Sequence, residues 1–407
     1  MNQILDSIGI ALSSIWANKL RSFMMVLGNI VAVTSIIAVV SLIQGMNGYV
    51  SDAIVRDVGV GTFRVERVGF ITDEEEQRKA FRRPNVTLND ARALKDYGGV
   101  IDAVMAESGA SANLVYHDVE LENTRVRGVS ADYEEFSGYI AEQGRAPSRM
   151  EVSRNRPVVL LGFDTADRLF KGQNPIDKLI QINGVHFRVL GVNEKKGSVF
   201  GNSQDEFAVI PLGSFQKMFG ARRSLDLTIK PSDPSQLNAA MDEARVALRM
   251  KRHLRPNQAD NFGMYTSDTL MDFWRNFSKG AFAILIGVVS LSLVVGGIVI
   301  MNIMLMIVSE RTREIGLRKA LGARRRDIVW QILTESITLS TLGGVIGTLL
   351  GSVFAILISK ASPLPASVQA WSVVAGIGIT AVVGLFFGMY PAMRAAKLDP
   401  IEALRRE

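Results

Sequence analysis

Four apolar runs set the frame for this chain of 407 residues. A helix needs about 20 apolar residues to cross roughly 30 Å of hydrocarbon. Phe23 to Leu42, Phe282 to Val308, Ile328 to Ile358 and Val373 to Met389 meet or approach that length. The third carries Gln331, Thr334 and Glu335 near its start, so its apolar part begins a turn or two in. Hydrophobic residues make up 48% of the chain, and they concentrate near the N-terminus and after about residue 281. This is the pattern of a membrane protein with a large inserted domain.

The first run is read as a retained anchor, because it exceeds a signal peptide's short apolar core and no A-x-A site follows it. Ahead of it, Ile4, Leu5, Ile8, Leu12, Ile15 and Trp16 share one helical face, which predicts an interfacial helix on the inner leaflet. Lys19 and Arg21 precede the first run, and Arg311, Arg313, Arg318, Lys319 and Arg324 to Arg326 link the second to the third. Arg394, Lys397, Arg405 and Arg406 follow the fourth, whereas the link between the third and fourth carries only Lys360. By the positive-inside rule both termini are then cytoplasmic and the large insert is outside.

The expected order is an interfacial helix over residues 1–22, a first membrane helix over 23–45 and an extracytoplasmic domain over 46–278. Membrane helices follow over 279–308, 328–358 and 373–391, joined by a cytoplasmic segment over 309–327 and a short outer loop over 359–372; a cytoplasmic tail covers 392–407. The formal charge of +6 does not indicate a nucleic-acid partner, since the bases sit beside the apolar runs. The chain has no Cys, which excludes disulfides, thiolate nucleophiles and Cys-ligated metals.

The insert reads as α+β. "PVVLLG" and "FAVIPL" look like buried strands, and "KLIQINGVHFRVLGV" has two apolar runs around Asn183-Gly184, a hairpin signal. "TLNDARALKD" and "PSQLNAAMDEARVALRMKRHL" are helical by period and by their starting residues. These alternations predict a layered α/β subdomain with a β-rich one inserted. "QGMNGYVSDAIVRDV" and "SDTLMDFWRNFSKGAF", which flank the insert, are helix-compatible and read as stalks continuing the membrane helices.

No catalytic pattern appears. His117, His186 and His253 are far apart and none lies in HExxH, so structural or solvated roles are expected rather than metal binding. "GK" and "LSGGQ" do not occur, which leaves no phosphate-cradling loop and no ABC ATPase signature. Ion-driven transport is not favoured either, because the only ionisable residue within a span is Glu335, near a cytoplasmic end, read as an interfacial acid rather than a proton relay. Asn29 and Asn302 are expected to hydrogen-bond between helices, and Gly343, Gly347 and Gly351 form a ridge suited to helix pairing or dimerisation.

Between the second and third runs lies "SERTREIGLRKALGARRRD". Its residues favour helix over Glu310 to Leu321, with Leu317, Ala320 and Leu321 on one side and Gly322 placed to cap the end. That stretch and its flanks, "IVIMNIMLMIVSERTREIGLRKALGARRRDIVWQILTESITLSTLGGVIGTLLG", resemble the FtsX/MacB-type ABC permeases, as does the closing "YPAMRAAKLDPIEALRRE". Within the insert, "RGVSADYEEFSGYIAEQGR", "RPVVLLGFDTADRLFKGQNPIDKLIQINGVHFRVLGV" and "DEFAVIPL" are similar to the MacB periplasmic core.

The resemblance implies a type VII ABC permease in the bacterial inner membrane, with four spans and an outer domain of porter and sabre subdomains. It further implies an ATPase partner holding ATP and Mg2+, a mechanotransmission cycle, and pairing with a second copy or a paralogous permease. MacB carries its ATPase on the same polypeptide ahead of the membrane helices; this sequence begins with the interfacial helix, so the ATPase is expected on a separate chain. A periplasmic adaptor and outer-membrane channel belong to some members. Expected substrates are macrolides, peptides or lipoproteins; the alternative is an FtsX-like regulator of a cell-wall hydrolase. Within this frame, residues 310–321 are the expected coupling helix, with Leu317 and Leu321 entering an ATPase cleft, Glu310, Arg311, Arg313 and Glu314 pairing by charge, and Arg318 completing the set. The run Arg324 to Arg326 is read as a topology marker.

Overall fold

The computed structural model describes residues 19–97, 99–136, 140–199, 201–362 and 365–405. The expected interfacial face from Ile4 to Trp16 lies outside them. Two compact units emerge: Met1–Gly48 together with Asn276–Glu407, and Tyr49–Arg275. The first helix, α1 (Lys19–Val58), ends where Gly59 takes φ +90° and donates its N–H to Val55 O at 3.0 Å.

The unit Tyr49–Arg275 is built on one mixed sheet. Its elements in order are β1 (Phe63–Glu66), α2 (Glu74–Ala80), α3 (Leu88–Tyr97), β2 (Ile101–Tyr116), β3 (Val119–Val129), β4 (Ala141–Gly144), α4 (Arg149–Ser153), β5 (Val158–Leu161), α5 (Phe163–Phe170), β6 (Leu179–Ile182), β7 (Val185–Asn193), β8 (Ser198–Val199), β9 (Asn202–Ser203), β10 (Phe207–Pro211), α6 (Leu212–Phe219), β11 (Asp226–Pro231), α7 (Leu237–Lys251) and β12 (Gly263–Thr266). The strand order is β12-β1-β11-β2-β3-β10-β5-β7-β4, with β6 paired to β2 and β7, while β8 and β9 form a separate hairpin.

Of the buried clusters on this sheet, two define its lobes. One gathers Phe63, Leu94, Val104, Leu227 and Leu248 from β1, α3, β2, β11 and α7; the other gathers Leu114, Val126, Leu161, Ile180, Phe187 and Ile210 from β2, β3, β5, β6, β7 and β10. The second core draws on chain that lies between segments of the first, so one lobe is inserted in the other, as the strand and helix alternation predicts. Strand β2 serves both: Ile101, Val104 and Ala106 face the first core, Ala112 and Leu114 the second. Its pairing with β3 shifts register between Ala112 and Leu114, a bulge that re-aims the strand.

Both expected interior strands are covered on two sides, since every residue of β5 and β10 is buried. Asn183 (φ 45°) and Gly184 (φ 82°) turn the β6–β7 hairpin, with Ile182 paired to Val185. Thr87 opens α3 by a capping box: its N–H donates to Asp90 Oδ2 at 2.8 Å, and its hydroxyl accepts from Asp90 N–H at 3.4 Å. Asp90 also receives Arg252 from the end of α7 at 3.1 Å, both side chains being under 10% exposed.

The remaining helices are α8 (Ser267–Glu310), α9 (Thr312–Ala320), α10 (Arg325–Ala361), α11 (Ala370–Ala396) and α12 (Pro400–Arg405). Among the described residues, four helices, α1, α8, α10 and α11, are long and apolar enough to cross a membrane. They outrun the apolar runs read from sequence, because polar turns such as Ser267 to Lys279 continue the helix without contributing hydropathy.

Small residues pack this bundle. A Cβ on Gly343, Gly347 or Gly351 would lie 2.7 Å from Val26, 2.9 Å from Ile30 O and 2.8 Å from Ile37, so the expected ridge receives α1 of the same chain. Thr34 Oγ1 donates to Gly347 O at 3.1 Å along this seam. On the opposite face of α10, Ser336 Oγ donates to Gly384 O at 2.8 Å, and Gly344 meets Thr380. The bond expected of Asn29 is not made: the side chain is fully buried, and neither its oxygen nor its nitrogen has a partner among the described residues. Asn29 lies where Gly28 meets Gly296 and Gly343 meets Val26, a crossing tight enough to present mainly helix backbone whose groups are already bonded. Asn302 is exposed on α8.

On the sheet of the inserted unit, Asp226 is paired across strands with Glu107 and shares its surroundings with Glu66. Burial, reinforced by these two carboxylates and only partly opposed by Arg64 and Arg127, raises the Asp226 carboxyl to about 7. The folded pKa exceeds the unfolded one, so this contribution is fully present in acid and is lost as pH rises from near 4 through 7. Asp226→Asn therefore raises the unfolding midpoint at pH 8 by roughly 3–8 °C and flattens its decline between pH 5 and 8. Thermal melts across that range check this; an unchanged slope would show Asp226 to be ionised in the fold.

Candidate functional site

At one end of the helical bundle, α8 gives way to α9 through a single non-helical residue, Arg311 (φ −95°, ψ 18°). The hydroxyl of Thr312 donates to Val308 O at 3.1 Å and to Ser309 O at 2.8 Å, which stitches the joint. The far end closes in a Schellman motif: Ala323 N–H donates to Arg318 O at 3.1 Å, Gly322 N–H to Lys319 O at 3.1 Å, and Gly322 has φ +102°. A side chain would be strained there, so Gly322 terminates the helix as its position in the sequence predicts. Helix α10 then starts with Arg324 N–H donating to the Asp327 carboxylate at 3.0 Å.

Nine residues are too few to hold a helix in water unaided. Tertiary packing does it: Ile315 is buried in a cluster with Met304 and Val308 of α8, Ile328 and Ile332 of α10, and Ala395 of α11. Burying an isoleucine contributes about 1.5–3 kcal/mol. Thr312 and Gly316 share that inner face. The outer face carries Arg313, Glu314, Leu317, Ala320 and Leu321, with Glu310 exposed just before the joint. Leu317 is 52% and Leu321 81% exposed.

The residues expected to act together therefore divide. Arg313, Leu317 and Leu321 point outward, whereas Arg311 turns inward to Glu335 of α10 at 3.4 Å, with the carboxylate 9% exposed. Glu314 pairs with Arg318 at 2.7 Å along the helix surface. Arg324, Arg325 and Arg326 are exposed. The ridge Gly343, Gly347 and Gly351 lies away from this end, on the α1 seam.

Sequence pattern did not single out the residues that hold α9 from below. Lys319 Nζ donates to Ala396 O at 3.0 Å and to Leu398 O, and Gly316 lies against Ala403 of α12. A signal was present in Asp399-Pro400, an N-cap followed by proline at the first helical position. The histidines lie elsewhere: His117 and His253 occupy left-handed turn positions, and His186 is on β7. Among the described residues, no group of His, Asp and Glu is arranged to hold a metal ion.

Comparison with known proteins decides the family. The MacB-like periplasmic core domain matches residues 22–247, and the FtsX-like permease C-terminal domain matches residues 286–400. Over 414 residues the chain is 33% identical to the uncharacterized ABC transporter permease YknZ of Bacillus subtilis, covering 99% of this chain and 100% of that one. The chain belongs to the MacB/FtsX family of ABC transporter permeases.

The permease is also 35% identical over 394 residues to the macrolide export ATP-binding/permease protein MacB of Bdellovibrio bacteriovorus, covering 96% of this chain and 60% of that protein. It spans about three fifths of the length of such MacB relatives. The crystal structure of the periplasmic region of MacB from Actinobacillus actinomycetemcomitans is similar over 55% of this chain and 96% of that one, at 22% identity and a TM-score of 0.46.

Arg311 and Glu335 join the α8–α9 joint of the permease to α10. Removing the cation alone strands a buried carboxylate, so Arg311→Met costs roughly 1–3 kcal/mol, and adding Glu335→Gln recovers most of that loss. Unfolding of the purified permease in detergent measures both variants; equal destabilisation of the single and double variants would show that the pair is not coupled.

Proposed function

We propose that this permease is the membrane subunit of an ABC exporter in the bacterial inner membrane, with α9 on the cytoplasmic side as the docking element for an ATPase on a separate chain. The carrying observation is the two-sidedness of α9: its inner face is packed into the bundle, while Leu317 and Leu321 remain exposed beside Arg313. An isolated exposed ion pair contributes only about 0–1 kcal/mol, so burial of the two leucines supplies most of the affinity and the charges set register. ATP and Mg2+ are held by the ATPase. Its cycle moves α9 and drives the extracytoplasmic domain by mechanotransmission rather than by opening a channel through the bilayer.

The permease works as a pair, with a second copy or a paralogue. Several relatives are named as macrolide export proteins, which supports export of macrolides, peptides or lipoproteins over control of a cell-wall hydrolase. A periplasmic adaptor and outer-membrane channel complete the route where an outer membrane exists. Both helices that flank the large domain exceed a bilayer's need, at 40 and 44 residues, which suits elements that carry movement along their length.

Leu317→Asp with Leu321→Asp is expected to lower the permease-dependent stimulation of ATP hydrolysis by roughly tenfold or more while membrane insertion is retained. The assay is hydrolysis by the co-purified ATPase in lipid nanodiscs, and undiminished stimulation would remove α9 as the docking element.

A further inference from the structure

Helix α12 is six residues long and follows the last membrane helix by a short turn. Its start is capped: Asp399 Oδ1 accepts from Ile401 N–H at 2.8 Å, Asp399 O accepts from Ala403 N–H at 2.9 Å, and Pro400 occupies the first helical position. The helix lies against the inner face of α9. A Cβ built on Gly316 would stand 2.6 Å from the Ala403 Cβ and 3.6 Å from Pro400 O, so the two helices meet with no room for a methyl group. Ala403 is 3% exposed.

A second contact of a different kind joins the same elements. Lys319 Nζ donates to Ala396 O at 3.0 Å and to Leu398 O, two carbonyls at the end of α11 and in the turn that leads to α12. Carbonyls at a helix C-terminus lack partners within the helix and carry partial negative charge, so an ammonium there is held by both hydrogen bonding and the helix dipole. Glycine at 316 and a cation at 319 thus place α9, α11 and α12 in one block.

The geometry points to α12 as the backstop of the coupling helix, with Gly316, Lys319 and Ala403 as positioning residues that fix how the Leu317 and Leu321 face is presented. This inference rests on the reading of α9 as the ATPase-facing element. The mechanical reason lies in the two ends of α9. It is bounded by the non-helical Arg311 and by Gly322 at φ +102°, two joints about which a short helix can rock. A push on the exposed face is dissipated as rocking unless the opposite face is blocked. Contact with α12 and the lysine bonds to α11 block it, so displacement passes to the end of a membrane helix instead.

A swap of the methyl group tests this in the full permease with its ATPase in nanodiscs. Gly316→Ala drives two methyl groups together and is expected to cut stimulation of ATP hydrolysis by roughly fivefold or more. Gly316→Ala with Ala403→Gly restores the volume, and stimulation is expected to return to within about twofold of the starting protein, as volume-conserving exchanges are the best tolerated. The chain has no cysteine, so Ala403→Cys supplies a single thiol. Its maleimide labelling is expected to be slow in the otherwise unaltered permease and faster when Gly316→Ala is added, a readout that does not involve the ATPase. If the double variant is no better than Gly316→Ala, or if labelling accelerates while stimulation stays unchanged, α12 does not set coupling and the inference is overturned. Failure of the underlying reading looks different: stimulation then survives Leu317→Asp with Leu321→Asp, whatever the swap does.

Discussion

The membrane unit depends on how closely helix backbones approach one another. Hydrocarbon satisfies no backbone polar group, so each crossing segment is helical, and it offers no hydrophobic drive for one apolar helix to prefer another over lipid. Contact must come from close packing. In this permease α10 is the two-sided element: Gly343, Gly347 and Gly351 admit α1, while Ser336, Ser340 and Gly344 face Gly388, Gly384 and Thr380 of α11. The same economy brings Gly28 against Gly296 between α1 and α8. Beside these close approaches, larger side chains gather at one end of the bundle, where Ile300, Met304, Ile328 and Leu333 form a cluster into which α9 places Ile315.

Features with a strong local cause were legible in the sequence. The apolar runs mark four membrane helices, Asn183-Gly184 makes a hairpin because both residues accept positive φ, and continuous apolar runs became strands buried on both faces. What was illegible had a non-local cause. Asn29 was expected to bond because buried amides usually do, yet the side chain lies at a glycine crossing without a partner among the described residues. Such a group is costly to keep, by about 1–3 kcal/mol.

The candidate site shows the same limit on a smaller scale. The composition of residues 309–327 identifies a charged helix with a glycine stop, and both are present. It does not say which charges are spoken for. Arg311 and Arg313 are two residues apart and alike in type, but one meets Glu335 of α10 and the other is exposed on the outer face of α9. Gly316 reads as a poor helix residue until Ala403, far along the chain, occupies the space. Partners separated by some ninety positions or fewer still leave no trace in local periodicity.

The division of charges bears on how recognition at this end can work. Glu314 is engaged by Arg318 and Arg311 reaches Glu335, so a partner that approached these groups would have to compete with bonds already made. Surface ion pairs gain little and exchange readily, so they steer and orient more than they hold. An exposed leucine pair has no such competitor: Leu317 and Leu321 lie one helical turn apart, and each stands to lose water on contact. Of the ionic bonds at this end, Arg311–Glu335 is turned inward and Glu314–Arg318 runs along the surface, so the exposed leucines are the groups on α9 that would gain most from being covered.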